Sequence, residues 1–211
     1  MEVLRQIASS LRNGDDQRTA QLTQQAIDEG IPAAEILDNG LMGGMQVVGV
    51  LFRDHEIFLP EVLLAARAMN SGVDLLKPLL AGGDVPTIGK VVIGTAKGDL
   101  HDIGKNLVGI MLKGAGFEVV DLGSDVTAER FVDAAVDSGA KVIGISALLT
   151  TTMSSMKDVV DLVQERGLAG EIHTIVGGAP VSKEFADEIG AAAYGYDAAN
   201  AVEQVKALTG V

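Results

Sequence analysis

The first 80 residues repeat their apolar positions at intervals of three and four, the spacing of a helix that buries one face. Four stretches show this spacing, and turn residues such as Gly30 and Pro32 separate two of them. Short connections favour antiparallel neighbours, so the pattern predicts an all-α four-helix bundle over residues 1–80. The repeating positions are Val3, Leu4, Ile7 and Leu11; Ala20, Thr23, Ala26 and Ile27; Ile36, Leu37, Leu41, Met45 and Val48; and Val62, Leu63, Ala66, Met69, Val73 and Leu76.

The pattern changes after residue 80. Small and turn-forming residues interrupt the apolar pattern over positions 81–87, and we interpret residues 81–88 as a linker. Beyond it, short β-branched and apolar runs alternate with helical patterns, the last of them at 197–208. The alternation predicts a second domain over residues 89–211, an α/β doubly wound sheet of five parallel strands that is Rossmann-like and flavodoxin-like. The predicted strands are 90–95, 117–122, 141–146, 172–176 and 191–194.

The composition limits which partners the chain can have. Asp plus Glu number 29 and Lys plus Arg 16, so the net charge of −13 repels nucleic acid and anionic lipid. No apolar run approaches the roughly 18 residues of a membrane-spanning helix, and the first residues contain no apolar signal core. We therefore expect a cytoplasmic protein that binds neither nucleic acid nor membrane.

The chain contains no cysteine and only three histidines, His55, His101 and His173. Disulfides, thiolate zinc sites, cysteine nucleophiles and cysteine-held iron–sulfur clusters are thereby excluded. A metal would have to be held by histidine, by carboxylate or within a prefabricated cofactor.

One of these histidines follows the first predicted strand of the second domain, and doubly wound sheets bind ligands at such strand ends. The loop reads GDLHDIG from Gly98 to Gly104. An Asp two residues before a His can hold the imidazole by its Nδ1 proton and leave Nε2 free as a metal ligand. The alternative is a polar loop in which Asp99 or Asp102 caps the next helix and His101 is solvated.

Three short motifs at strand ends together resemble those of a known family. They are Asp99-x-His101-x-x-Gly104 after the first strand, Ser146-x-Leu148 after the third and Gly177-Gly178 after the fourth. In this order they resemble the three-part signature of the cobalamin-binding fold of methionine synthases and corrinoid methyl carriers. The stretches MQVVGVLF at 45–52, IFLPEV at 57–62 and AARAM at 65–69 are similar to the helical cap that precedes the cobalamin domain in that family.

The resemblance implies how the chain would hold cobalt. His101 would replace the cofactor's own benzimidazole as the lower ligand of the metal, and Asp99 would bond the far imidazole nitrogen. The hydroxyl of Thr152 stands where the family completes this triad with a hydroxyl, and a threonine can donate the same hydrogen bond.

The resemblance also implies which residues surround the rest of the cofactor. Ser146 and Leu148 would line a slot for the displaced nucleotide tail, and glycines would make room for it. Phe52 and Leu59 would cover the upper, methyl-bearing face of the corrin. The other residues of the loops and strand ends that are implied in cofactor binding are Asp102, Ile103, Gly104, Thr150, Gly177 and Gly178.

A cobalamin or related corrinoid carries a methyl group as methyl-Co(III) and becomes a nucleophilic Co(I) when the methyl group leaves, so the difficult chemistry belongs to the cofactor. The two predicted domains account for nearly all of the 211 residues and leave no room for a substrate-binding barrel. We therefore expect a methyl carrier that is not catalytic alone. Its partners would be a substrate:corrinoid methyltransferase, a corrinoid:acceptor methyltransferase acting on tetrahydrofolate or a thiol, and a reductive activator. The methyl donor stays open among methylamines, methanol, betaines and methoxylated aromatics.

Three other functions fit parts of the sequence. The subunit of an adenosylcobalamin mutase shares the histidine loop, but it needs no cap that shields a methyl group. A cobalamin-responsive regulator or sensor would add a basic DNA-reading helix pair, and the first 30 residues contain arginine but no lysine. A flavin- or nucleotide-binding sheet would have a glycine-rich phosphate turn, where this chain has AKGDL at 96–100.

Overall fold

The structure is a computed structural model that describes residues 2–80 and 87–211. The described residues form two compact units. The first comprises those up to Thr87 together with Gly114–Gly116, and the second comprises Ile88–Lys113 and Phe117–Val211. Of the predicted linker, residues 81–86 lie outside the described residues.

The first unit is helical, as the apolar spacing predicts. Its third helix is α-helical at both ends and π-helical in between, over Ile36–Met42. A short 3₁₀ turn, Lys77–Leu79, follows the fourth. The helices described within residues 2–80 are α1 Glu2–Arg12, α2 Asp16–Asp28, α3 Ala33–Glu35 continuing through the π-helical stretch to Gly43–Arg53, and α4 Leu59–Leu76.

Local hydrogen bonds fix where two of these helices begin, and buried apolar faces hold the unit together. The Asp15 carboxylate accepts the N–H of Arg18 at 2.9 Å and caps α2. The Glu61 carboxylate accepts the N–H of Phe58 at 3.1 Å, immediately before α4. Side chains without exposed surface in this core include Ile7, Leu11, Ala26, Ile36, Leu41, Val48 and Val62.

The second unit confirms the predicted alternation of strands and helices. The ends of each strand lie within two residues of the predicted ones. A 3₁₀ turn at Thr150–Thr152 precedes the third helix of this unit. The strands are β1 Gly89–Thr95, β2 Phe117–Asp121, β3 Val142–Ser146, β4 His173–Gly177 and β5 Ala193–Gly195. The helices are α5 Ile103–Gly114, α6 Ala128–Ser138, α7 Ser154–Glu165, α8 Lys183–Ile189 and α9 Ala198–Thr209.

The strands form one parallel sheet in the order β2-β1-β3-β4-β5. The direction of the strand order reverses between β1 and β3, since β2 lies on one side of β1 and the later strands lie on the other. In the register, Thr95 is opposite Ser146, and Ser146 is opposite Gly177. The carboxyl ends of β1, β3 and β4 therefore meet at one edge, where open α/β sheets bind their ligands.

The strands are apolar because both faces of a parallel sheet are covered. Val92 and Ile143 are completely buried and belong to a core that also contains Phe131 of α6. A Cβ on Gly94 of β1 would lie 2.7 Å from the Phe131 ring, so the ring uses the space beside this glycine. Among the helices of residues 2–80 and 87–211, none has both the length and the apolar character that crossing a membrane requires.

Candidate functional site

The loop between β1 and α5 carries Asp99 and His101 at the point where the strand order reverses. Gly98 adopts a positive φ of 85°, which favours glycine, and the N–H of Asp99 donates to the carbonyl of Ala96 at 3.0 Å. The turn leaves the Asp99 side chain completely buried, whereas the His101 side chain is 52% exposed.

The Asp99 carboxylate accepts hydrogen bonds at both oxygens. Oδ1 accepts the backbone N–H of His101 at 3.0 Å and lies 2.7 Å from His101 Nδ1. Oδ2 accepts the N–H groups of Leu148 and Leu149 at 2.7 and 3.1 Å. It also accepts the Thr152 hydroxyl at 2.8 Å. Asp99 thus ties the loop after β1 to the loop after β3.

Two opposing effects act on the pKa of Asp99. Burial raises the pKa, because it disfavours the charged form. The hydrogen bonds from the backbone of His101 and Leu148, from the His101 ring and from the Thr152 hydroxyl together outweigh burial, so the pKa lies well below its ordinary value of 3.8. Asp99 is therefore a carboxylate at neutral pH, and a carboxylate can only accept hydrogen bonds.

This carboxylate fixes which nitrogen of the neutral His101 ring carries the proton. Nδ1 lies 2.7 Å from an oxygen that only accepts, so Nδ1 is the donor. Nε2 then carries the lone pair, and no described residue bonds to it. A half-exposed imidazole whose far nitrogen is held by a carboxylate is a common form of metal ligand. The donor set therefore fits a metal that is brought in by a cofactor.

The residues predicted at the ends of β3 and β4 lie at the same edge of the sheet as the Asp99 loop. Ser146 and Gly177 are the last residues of their strands and face each other in the register. Leu148 bonds Asp99 through its N–H while 43% of the residue is exposed. Thr150 is exposed in the 3₁₀ turn, two residues before the buried Thr152.

The three predicted glycines have different surroundings. A Cβ on Gly104 would meet no atom within 4 Å, so the space beside it is open. A Cβ on Gly177 would lie 2.8 Å from the carbonyl oxygen of Gly195. A Cβ on Gly178, which has a φ of 131°, would collide with the carbonyl oxygen of Ala147. Close backbone packing thus requires Gly177 and Gly178, whereas Gly104 leaves room for a ligand.

The residues around His101 show how the loop enters α5. The backbone carbonyl of Asp102 accepts the N–H of Asn106 at 2.7 Å. Within the described ranges, neither the Asp102 carboxylate nor the Asp99 carboxylate caps α5, so the alternative of a capping aspartate is wrong. Two apolar side chains flank His101 and face solvent: Leu100 is 76% and Ile103 72% exposed. Leu100 was not predicted, although an apolar residue next to a candidate ligand histidine is a signal that could have found it.

Phe52 and Leu59 belong to the helical unit. Phe52 lies in the last turn of α3 and Leu59 is the first residue of α4, and both are partly buried. The turn between them contains His55, an exposed residue with a positive φ of 60°. The role of Phe52 and Leu59 over the corrin stays a prediction.

Two parts of the chain match sequence families described as B12 binding domain. One match covers residues 3–77, which lie in the helical unit. The other covers residues 89–205 and includes the whole sheet together with the Asp99 loop.

Curated proteins and a solved structure are similar to the chain over nearly all of its length. It is 40% identical to a corrinoid protein of Desulfitobacterium hafniense (strain Y51), with 100% of this chain and 99% of that protein covered. It is 42% identical to dimethylamine corrinoid protein 3 of Methanosarcina acetivorans, with 98% and 96% covered. Its fold superposes with a TM-score of 0.91 and 36% identity on a chain of the methanol:cobalamin methyltransferase complex MtaBC from Methanosarcina barkeri, covering 99% of this chain and 80% of that chain.

Proposed function

This chain belongs to the corrinoid proteins of methyltransferase systems, with a corrinoid as its cofactor, and from that premise we propose that it carries a methyl group from one methyltransferase to another. We assign the lower cobalt ligand to Nε2 of His101. The observation that carries this assignment is the Asp99–His101 pair. The buried Asp99 carboxylate lies 2.7 Å from Nδ1 of His101, so Nε2 of this half-exposed ring carries a lone pair that is free to bind a metal.

His101, Asp99 and Thr152 act together in this proposal. The bound corrinoid supplies the cobalt on which the methyl group is carried. Asp99 keeps the proton on Nδ1 of His101, and the Thr152 hydroxyl stabilises the carboxylate at 2.8 Å. When Nε2 does not bind metal, it can take up a proton while the hydrogen bond from Nδ1 to Asp99 is kept. The pair can therefore hold or release one proton at Nε2 as ligation changes.

We assign the nucleotide tail of the corrinoid to the edge where β3 and β4 end. The open space beside Gly104 and the exposed Leu148 support this assignment. Asp102 and Ile103 are exposed at the start of α5 and are assigned to contacts with the corrin itself. The remaining residues assigned to the tail are Ser146, Thr150, Gly177 and Gly178.

Replacing Gly104 by Ala should affect the stability of the fold and the binding of the corrinoid in opposite directions. Because Gly104 lies in the first turn of α5 with no neighbour around its Cβ position, Gly104→Ala should raise the free energy of unfolding, by about 0.4 to 1 kcal/mol. The added methyl group should nevertheless weaken hydroxocobalamin binding, which a visible-absorbance titration measures. The matched variant Gly178→Ala should lose about 2 kcal/mol of stability in urea unfolding, since its Cβ collides with the backbone. Equal affinities of Gly104→Ala and wild type for hydroxocobalamin would count against the assigned tail position.

The proposed carrier needs an enzyme on each side. A substrate:corrinoid methyltransferase would load it, and a corrinoid:acceptor methyltransferase would unload it onto tetrahydrofolate or a thiol. A reductive activator would return oxidised cobalt to the active state. The relatives named for dimethylamine and for methanol support small methylated compounds as donors.

Methyl loading tests the proposal directly. The chain is reconstituted with hydroxocobalamin, reduced, and mixed with ¹⁴C-methyl-labelled dimethylamine or methanol and the methyltransferases encoded nearby. We expect stoichiometric label that stays with the protein in the dark and is released by light, because alkyl–cobalt bonds are light-sensitive. The chain without corrinoid is the control. Stable retention of an adenosyl cofactor, with no transfer of label from any donor, would indicate a regulator or a mutase subunit instead.

A further inference from the structure

The loop that carries His101 is held from both neighbouring strands. In the sheet, β1 lies between β2 and β3. The loop after β3 binds the Asp99 carboxylate, as described above. The loop after β2 binds the backbone on either side of that carboxylate. The three strand-end motifs follow β1, β3 and β4, so none of them includes this loop.

Asp125, in the loop after β2, makes two of these backbone contacts. Its Oδ1 accepts the N–H of Gly98 at 2.7 Å. Its own N–H donates to the carbonyl of Asp99 at 3.0 Å. Asp125 has a φ of 55°, a left-handed conformation that is uncommon for residues other than glycine. Such a conformation persists where the surrounding structure enforces it, and here it directs both groups of Asp125 to the same stretch of chain.

Thr95 makes the third contact from inside the sheet. It is the last residue of β1 and is completely buried, and its hydroxyl donates to the carbonyl of His101 at 2.9 Å. We call the three hydrogen bonds made by Asp125 and Thr95 the loop clamp. Together they engage the backbone of Gly98, Asp99 and His101, so the chain is fixed immediately before and at the ligand residue.

The loop after β2 is itself fixed to β1, so it can serve as an anchor. The N–H of Val126 donates to the carbonyl of Thr95 at 3.0 Å, and the N–H of Thr95 donates to the carbonyl of Gly123 at 2.9 Å. At the other end of the His101 loop, Lys105 of α5 is buried, with Nζ 2.6 Å from both carboxylate oxygens of Asp121 in β2. The β2 side therefore holds the His101 loop near its start and just after its end.

From this geometry we infer that Asp125 and Thr95 are positioning residues that hold His101 ready to coordinate cobalt. The inference rests on the proposed assignment of His101 as the lower ligand. A loop that is ordered before the metal arrives loses less conformational freedom when the imidazole binds, so the clamp favours the His-on form of the bound corrinoid over the His-off form. Loss of a clamp bond should move this balance toward the His-off form.

Two substitutions at Asp125 separate its carboxylate from its backbone. Asp125→Gly removes the acceptor for the Gly98 N–H but keeps the positive φ and the N–H that donates to Asp99. Asp125→Asn keeps an acceptor oxygen and also tolerates the left-handed conformation. Thr95→Val removes the hydroxyl with little change of shape.

Each protein is labelled with ¹⁵N-histidine, loaded with hydroxocobalamin and reduced to Co(II). In the EPR spectrum, a coordinated ¹⁵N-histidine then splits each line in two, whereas the benzimidazole nitrogen splits each line in three.

We expect Asp125→Gly and Thr95→Val to lower the ratio of His-on to His-off corrinoid about three- to tenfold, the effect of one lost hydrogen bond. Asp125→Asn should stay close to wild type. A wild-type ratio in both Asp125→Gly and Thr95→Val would overturn the inference, and if one variant does not fold, the other decides. Circular dichroism and urea unfolding check folding separately, because a general loss of stability lowers the amount of folded protein but not the ratio within bound corrinoid. A wild-type spectrum without the two-line pattern would overturn the ligand assignment itself and the clamp with it.

Discussion

His101→Ala should bind hydroxocobalamin with no protein nitrogen on cobalt. The His101 imidazole offers a free nitrogen that is a strong metal ligand, and the alanine side chain that replaces it has no atom that can bind a metal. In ¹⁵N-histidine-labelled protein reduced to Co(II), the two-line EPR splitting of the wild type should be absent. Removing the ligand should also weaken hydroxocobalamin binding by at least about tenfold, since loss of a group that merely supports a ligand has an effect of that size.

His173→Ala is the matched control for His101→Ala. His173 is the first residue of β4, so it lies at the amino end of its strand, opposite to the edge that carries the Asp99 loop. This variant should keep the two-line splitting, the absorbance spectrum and the affinity of the wild type. A spectrum of His101→Ala that matches the wild type would remove the ligand assignment.

Asp99→Asn should lower the free energy of unfolding at pH 7 by about 3 kcal/mol, which is the size expected when buried hydrogen bonds to a charged group are lost. An amide has one acceptor oxygen and two donor hydrogens where the carboxylate has two acceptor oxygens. If the amide nitrogen takes the place of Oδ2, the N–H groups of Leu148 and Leu149 face another donor, and if it takes the place of Oδ1, the N–H of His101 does. The His101 ring would lose its anionic partner at Nδ1, and its proton could move to Nε2, so the His-on fraction of bound corrinoid should also fall.

The stability difference between wild type and Asp99→Asn should depend on pH in one direction. Because the folded-state pKa of Asp99 lies below its ordinary value of 3.8, its ionisation stabilises the fold fully above that value. This contribution is lost as the pH falls below 3.8 toward the folded-state pKa. Urea unfolding at pH 7, 5 and 3 should show a difference that is constant between the first two and smaller at the third.

Asp137→Asn serves as the control for Asp99→Asn. Asp137 is exposed on α6, and surface substitutions of this kind usually change stability by less than about 0.5 kcal/mol. Equal stabilities of Asp99→Asn and Asp137→Asn at pH 7 would contradict the importance assigned to the buried carboxylate.

Much of the fold could be predicted because its elements repeat simple spacings. The strands of a parallel sheet are nearly continuous apolar runs, so β1 to β4 stand out from the amphipathic helices between them. The predicted start of β5 is two residues too early and its predicted end one residue too early, because the alanines at 191 and 192 fit a turn as well as a strand. The π-helical stretch Ile36–Met42 was not predicted, since one widened turn barely changes the three- and four-residue spacing of apolar side chains.

The candidate site could be predicted only where its contacts are made by side chains whose chemistry is visible in the sequence. Asp99, His101 and Thr152 are chemically recognisable, and strand-end positions bring them to one edge. The N–H groups of Leu148 and Leu149 bind the same carboxylate, yet any residue supplies such a donor. Asp125 carries a side chain that could have been noticed, but its contacts depend on a left-handed backbone conformation that the amino-acid type does not reveal.

The Asp99 carboxylate forms hydrogen bonds with residues that are far from it in the sequence, and this separation sets an order for folding and cofactor binding. Its partners Leu148 and Thr152 lie 49 and 53 positions further along the chain. During synthesis, the polypeptide must therefore be complete through the start of α7, with β1 and β3 already paired, before the imidazole is locked in its metal-accepting form. Ligation by His101 thus has to follow the pairing of β1 with β3, and a refolding chain should acquire the red colour of bound corrinoid only after these two strands have paired.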